Sequence, residues 1–319
     1  MNTCVCGSSH KSVTTRRGAS TREPAIMEQG IVMHTIHQLM TIRDPRTKDW
    51  KMLHSPSFIV ILLGGYLYMA KVWGPNFMKH RKPYDLKGFI RIYNLLQVLS
   101  NIYFLYRIIY YSFWAAGYSM FCQGLTYKAD ENARHLLNAY YWYFFVRVAD
   151  FLDTLFFVLT KKFSHISVLH VTHHTIVVFN GWMFLQFGPD GQAVFGVCLN
   201  AFVHIIMYVY YFLASLGPSI QKYLWWKRYL TRIQIVQFFV MIVHASIPIF
   251  VDCGYPVVLL CIGIPQVILI LGLFLNFYVQ AYLSRSSGGP PKIPAPEVHS
   301  QNGDSHHSNG GNAEAKKEL

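Results

Sequence analysis

His170, His173 and His174 lie within one seven-residue stretch, Leu169–Thr175, inside an apolar run from 166 to 187. At about 3.6 residues per turn the three share one face of a helix. Imidazole is substantially unprotonated near neutral pH, so it can act as nucleophile, general base or metal ligand. In an apolar run, bare imidazoles are costly and usually face a protein interior or a wet cavity. A single histidine there would be explained by tying two helices together. Three at this spacing point to chemistry.

Further polar groups break the neighbouring apolar runs. Arg147, Asp150, Asp153 and Thr154 follow one another in Arg147-Val-Ala-Asp150-Phe-Leu-Asp153-Thr154. Arg147 and Asp150, three apart on a helix, can pair, which lowers the cost of burying either. A purely structural ion pair would look the same, but the second aspartate and the nearby histidines favour function. Asn200, His204, Met207, Tyr208 and Tyr211 form a stripe at helical spacing. With His204, that stripe can supply donors to a substrate carbonyl. Thr231, Gln234 and Gln237 place two amides on one face, where amides also serve to join helices in lipid. His165 and His244 stand alone, and no role is assigned to them.

The chain that must position these groups has 319 residues, 53% hydrophobic and only 13% charged. Soluble domains carry about 25% charged residues, so the composition is that of a membrane protein. The net charge of +13 does not indicate nucleic acid, because the basic residues cluster between apolar runs. Seven such runs, at about 55–73, 89–113, 136–160, 166–187, 194–216, 233–250 and 256–282, are each near the length that crosses a bilayer. The fold class is therefore an all-α polytopic membrane protein with seven transmembrane helices, with Pro248 and Pro265 ending or bending the last two. Residues 1–51 read as a mostly flexible segment with a short helix near 31–42, and 284–319 as a solvated tail.

Loops at 74–91, 161–165 and 217–232 and the tail from 283 carry fifteen Lys and Arg, against two (Lys128 and Arg134) in the opposite loops. Positive charge marks the cytosolic side, so the C-terminus is expected in the cytosol and the N-terminus in the lumen. The eight basic residues of 1–51 run against this, although long terminal stretches follow the rule less well. This topology puts Cys122 and Cys253 in lumenal loops, where oxidising conditions let them pair. Cys198 and Cys261 fall within spans and read as core thiols.

The chain resembles the ELO family, the elongases of very-long-chain fatty acids, from about residue 44 to 282. The family's HxxHH box is matched by His170, His173 and His174, and its HxxMYxYY motif by His204, Met207, Tyr208, Tyr210 and Tyr211. Its TxxQxxQ motif is matched by Thr231, Gln234 and Gln237, and its NxxxH by Asn200 and His204. One motif departs: the family's KxxExxDT stands here as RxxDxxDT, with Arg147 and Asp150 in place of Lys and Glu. Charge signs are kept, but Asp is shorter and Arg is a planar fork.

The resemblance implies that helices 2–7 enclose a substrate tunnel, with the first helix outside. It implies condensation of acyl-CoA with malonyl-CoA to 3-oxoacyl-CoA, CoA and carbon dioxide at the endoplasmic reticulum membrane, with no bound cofactor. By the same resemblance His173 is the acyl-accepting nucleophile and His204 its partner near the enolate. His170 and His174, helped by Asp150 and Asp153, would orient the rings. Arg147, Asn200, Tyr208, Tyr211, Gln234 and Gln237 would line the reacting groups. Lys161, Lys227 and Arg228, with Lys162, Lys222 and Arg232, are candidates for the phosphates of CoA at the cytosolic mouth. The end Lys316-Lys317-Glu318-Leu319 resembles a dilysine retrieval signal. Membrane lipids, a second copy of the chain and the other enzymes of the elongation cycle are the candidate partners. Two rivals stay open: a metal-dependent lipid desaturase or hydroxylase, and a seven-span receptor or transporter using the buried charges as a path.

Overall fold

The structure is a computed structural model that describes Met33, Thr41 and residues 43–283. Apart from Met33 and Thr41, the short helix expected near 31–42 lies outside the described residues, as does the tail from 284. Among those described, the regular elements are helices, with no strand. The longer ones are α1 (Pro56–Met78), α2 (Lys87–Ile109), α3 (Glu131–Ala149), α4 (Phe151–Leu159), α5 (Val168–Phe187), α6 (Ala193–Ser215), α7 (Lys227–Phe250) and α8 (Val257–Tyr278). Helix α4 continues α3 after a one-residue break at Asp150.

Among the described residues four helices are long and apolar enough to cross a membrane: Pro56–Met78, Ala193–Ser215, Lys227–Phe250 and Val257–Leu283. The chain is therefore a multi-pass membrane protein. The rest of the seven expected runs fall short for a physical reason. Helix α2 carries Asn94, Gln97 and Asn101, α3 and α4 carry Arg147, Asp150 and Asp153, and α5 carries three histidines. The same polar side chains that lower their hydropathy build the site described below. Pro248 lies two residues before the end of α7, while Pro265 is accommodated inside α8.

Caps fix two of the helix starts. The Asp130 carboxylate accepts from the Ala133 amide at the head of α3, and the Ser167 hydroxyl accepts from the His170 amide at the head of α5. The second cap sets the register of the histidine box, because His170 is in the first turn and His173 and His174 in the next. Helix α2 lies along α6, and α7 pairs with α8. Ile108, Leu136, Tyr140, Tyr143, Phe144, Val178 and Val194 form the largest buried cluster, between α2, α3, α5 and α6.

The helices run alternately between two ends. At one end Cys122 and Cys253 are joined by a disulfide, and Gln192 ties the loop at 121–123 to α7 through Phe121 O and His244 O. Residues 43–51, which the sequence reading leaves in a mostly flexible segment, are packed here. The Asp44 amide donates to Gln186 O at 2.8 Å, and Arg46 bridges the buried carboxylates of Asp44 and Asp190 at 2.6 and 2.9 Å. Thr126 donates a further hydrogen bond to Asp190, and burial beside it pushes the Tyr118 hydroxyl up to about 12. At the other end the Tyr84 amide donates to Leu159 O and Arg91 to Ser215 O. His165 is held below its usual range there by burial and by the charges of Lys162 and Lys227.

Candidate active site

Two polar groups form in the interior, joined through α4. The first is built on Arg147, which is 4% exposed at the end of α3. Its Nη1 donates to Asp150 Oδ2 at 3.1 Å and to His204 Nδ1 at 2.5 Å, while Nη2 donates to Asn101 Oδ1 at 3.0 Å. A guanidinium has no acceptor, so the His204 Nδ1 in this bond carries a lone pair. Neutral His204 therefore keeps its proton on Nε2, the nitrogen turned away from Arg147.

Asp150 is held further by Gln97 Nε2 at 2.9 Å and by the Tyr208 hydroxyl at 3.0 Å. The same hydroxyl lies 2.7 Å from Asp153 Oδ2, so one phenolic O–H serves two carboxylates. Tyr93 on α2 reaches Tyr208 at 3.3 Å and receives Gln97 Nε2 at 3.2 Å. Nearly all these side chains are buried, so each polar atom left without a partner would cost about 1–3 kcal/mol.

The second group is the histidine box, and it divides. His170 Nε2 shares a hydrogen bond of 2.8 Å with Thr154 Oγ1, which also meets the Tyr66 hydroxyl of α1 at 3.1 Å. The His174 ring sits 4.4 Å from that of His170 and touches Tyr66 and Phe151. His173 points the other way, towards α7 and α8, with its ring 6.2 Å from Phe238 and 6.1 Å from Phe274. Among the described residues neither ring nitrogen of His173 has a hydrogen-bond partner. Its lone pair is free.

The two aspartates, expected to help the box histidines orient the rings, make no hydrogen bond to an imidazole. Asp150 acts on His204 only through Arg147, Asp153 binds Tyr208, and the residue that touches a box histidine is Thr154. No hydrogen bond or ring contact joins His173 to His204. Tyr211 is 40% exposed and meets the network only through the edge of the Tyr208 ring. Gln234 and Gln237 donate only to the sulfurs of Met207 and Met241, at 3.5 and 3.6 Å, and so keep weakly satisfied amides.

A cavity of about 280 Å³ opens beside these groups. Arg147 and Asn200 line it together with Phe238, the ring against His173, and its remaining walls are mostly apolar side chains of α3, α5, α6, α7 and α8. Gln192, His244 and Tyr255 lie at the disulfide end. Away from the cavity, Arg228 and Arg232 both donate to the Tyr278 hydroxyl, and Lys161 directly follows the turn that ends α4. Among the described residues no three His, Cys, Asp or Glu side chains are arranged to hold a metal ion.

Sequence reasoning missed the contribution of α2. Asn94, Gln97 and Asn101 follow one another at helical spacing inside an apolar run, which is the signal that would have found them.

Fold and site thus define an all-helical, multi-pass membrane protein with a buried, histidine-rich polar centre beside an apolar cavity. The model of the ELO (GNS1/SUR4) family matches residues 51–289. A very long chain fatty acid elongase of Aedes aegypti is 41% identical over 248 residues, covering 77% of this chain and 69% of its own length. Very long chain fatty acid elongase 4 of Mus musculus is 42% identical over 243 residues, 76% of this chain and 77% of that protein. Very long chain fatty acid elongase 7 of Drosophila melanogaster is 37% identical over 253 residues, 79% and 77% of the two chains. The chain belongs to the ELO family.

Proposed function

We propose that this fatty acid elongase condenses a long- or very-long-chain acyl-CoA with malonyl-CoA, giving 3-oxoacyl-CoA, CoA and carbon dioxide. One observation carries the reading: motif residues form two adjacent buried polar groups, Arg147 with His204 and Thr154 with His170, and Arg147 and Asn200 also line an apolar cavity. A metal-dependent oxidation would need a converging donor set, and the histidine box instead splits between two faces.

The reaction divides into two half-reactions. An unbonded nitrogen of His173 attacks the thioester carbonyl, the C–S bond breaks, and the leaving thiolate takes the proton that the ring gives up. Acyl-imidazole and CoA result. Malonyl-CoA then loses its carboxylate as carbon dioxide, and the freed electron pair forms a thioester enolate. The Nε2–H of His204 donates to the enolate oxygen, where negative charge develops. The enolate carbon attacks the acyl carbonyl, the C–N bond breaks, and His173 recovers a proton from water. Atoms balance with one proton taken up per turnover. No bound cofactor is required.

Asn200 lines the cavity, and Gln234 and Gln237, held only by methionine sulfurs, have N–H donors to offer the reacting carbonyls. Asp150 and Asp153 fix Arg147 and Tyr208, and Tyr211 packs on the outer side of Tyr208. His170 and His174 support His173 from the α1 side.

In this reading the protein crosses the membrane seven times, with the polar helices α2, α3–α4 and α5 shielded by apolar neighbours. The membrane domain is 52–283, flanked by a lumenal segment 1–51 and a cytosolic tail 284–319 with a dilysine end that keeps it in the endoplasmic reticulum. The second to seventh spans enclose a tunnel in which the acyl chain extends from His173 towards the disulfide end. CoA phosphates rest at the opposite, basic mouth near Lys161, Lys227 and Arg228. The test is incubation of membranes with labelled malonyl-CoA and acyl-CoA. Labelled 3-oxoacyl-CoA is expected, and its loss in His173→Ala protein of unchanged abundance would assign the residue.

A further inference from the structure

Asn101 belongs to none of the four motifs, yet it is fully buried against the residue that sets the state of His204. Its amide orientation is decided by its neighbours. Arg147 only donates, so the atom facing Arg147 Nη2 at 3.0 Å is Oδ1, while Nδ2 donates to Gln97 O at 2.7 Å. The Tyr143 hydroxyl donates to the same Oδ1 at 3.3 Å, and the guanidinium lies over the Tyr143 ring at 4.9 Å. Arg147 is thereby gripped at Nη2 by α2, at Nη1 by Asp150 and His204, and across its face by Tyr143.

We infer that Asn101 is a positioning residue: by holding Nη2 it keeps Nη1 on His204 Nδ1, and so keeps the His204 proton on Nε2, facing substrate. The geometry supplies the failure mode as well. Gln97 Oε1, one turn away on the same helix, is buried and has no partner. Without Asn101 the freed Nη2 has this acceptor to turn to, which draws Nη1 away from His204. The ring is then free to carry its proton on Nδ1, where it no longer meets the enolate. This inference rests on the reading of His204 as the enolate donor and extends it to a residue outside the motifs.

The test compares purified full-length wild type with Asn101→Leu and Asn101→Asp. Leucine has a similar shape but no acceptor, whereas aspartate keeps the oxygen that meets Arg147. Asn101→Leu should lower kcat at least tenfold with KM for acyl-CoA within about twofold. Asn101→Asp should recover most of that loss, even though a new buried carboxylate does nothing for stability. Transfer of the acyl group from acyl-CoA alone should continue near the wild-type rate in both, since no hydrogen bond joins His173 to Asn101, Arg147 or His204. Equal losses in the two variants, losses that follow the melting temperature, or an unchanged kcat in Asn101→Leu would overturn the assignment. If Asn101→Leu does not fold, Asn101→Ser, whose hydroxyl is too short to reach Arg147, is read in the same way. If wild type itself never carries an acyl group, the covalent scheme fails, while the comparison of kcat values still decides the role of Asn101.

Discussion

Arg147 Nη1 lies 2.5 Å from His204 Nδ1, and the same nitrogen lies 3.1 Å from Asp150 Oδ2. Because guanidinium cannot accept, this contact sets the proton of the imidazole as well as its place. It also gives a reason for the departure from the family pattern. A forked side chain serves His204, Asp150 and Asn101 at once, and the shorter aspartate meets it at ion-pair distance.

Arg147→Lys should therefore cost more than a change of like charge suggests. A single ammonium cannot hold three partners in the guanidinium plane, and turnover should fall at least tenfold in membranes of equal enzyme content. Adding Asp150→Glu, which completes the family pair, should restore part of the loss. Additive losses in the double variant would show that the two positions are independent.

Thr154→Val removes the hydroxyl between Tyr66 and His170 while keeping the volume of a fully buried side chain. The stranded Tyr66 hydroxyl should lower stability by about 1–3 kcal/mol. Turnover should fall about tenfold as the box loses its anchor on α4. Wild-type rates in this variant would mean that the histidines are oriented by packing alone.

Much of this arrangement was legible in sequence. The three-residue spacing of Arg147 and Asp150 gave the pair, the helical phase of 170, 173 and 174 gave the box, and the placing of Cys122 and Cys253 in loops on one side of the bundle gave the disulfide. What stayed hidden depends on contacts distant in the chain. Gln97 and Asn101 precede Arg147 by more than forty residues and read locally as polar interruptions of an apolar run. The division of the box was hidden too, since one helical face can look towards two neighbours, and only packing put His173 against Phe238 and His174 against Tyr66. Arg46 likewise gave no sign in sequence that it would meet Asp190, 144 positions away.

Arg46→Ala leaves the carboxylates of Asp44 and Asp190 buried beside each other without a cation. Breaking a buried pair by removing one partner costs about 3–5 kcal/mol, so the melting temperature of the detergent-solubilised protein should drop clearly. Catalytic constants of the folded fraction at low temperature should stay near wild type, because the cluster lies at the disulfide end. A stable Arg46→Ala protein would show that the segment 43–51 contributes little.

Ala245→Phe places a large ring in the cavity wall beyond Phe238. At about 1.5 Å per residue, position 245 lies about 10 Å along α7 from Phe238, the ring that meets His173. Elongation of the longest acyl-CoA accepted should fall sharply while the shortest is still extended, read as a product profile across chain lengths. A uniform loss at every length would place the acyl chain elsewhere.

The central claim is that a ring nitrogen of His173 carries the acyl chain between the two half-reactions. Purified protein incubated with acyl-CoA and without malonyl-CoA, then digested and read by mass spectrometry, tests it most directly. The account predicts that the peptide containing His170, His173 and His174 gains the mass of one acyl group on His173, and that malonyl-CoA discharges it as 3-oxoacyl-CoA. An unmodified peptide from protein that still makes 3-oxoacyl-CoA would contradict it.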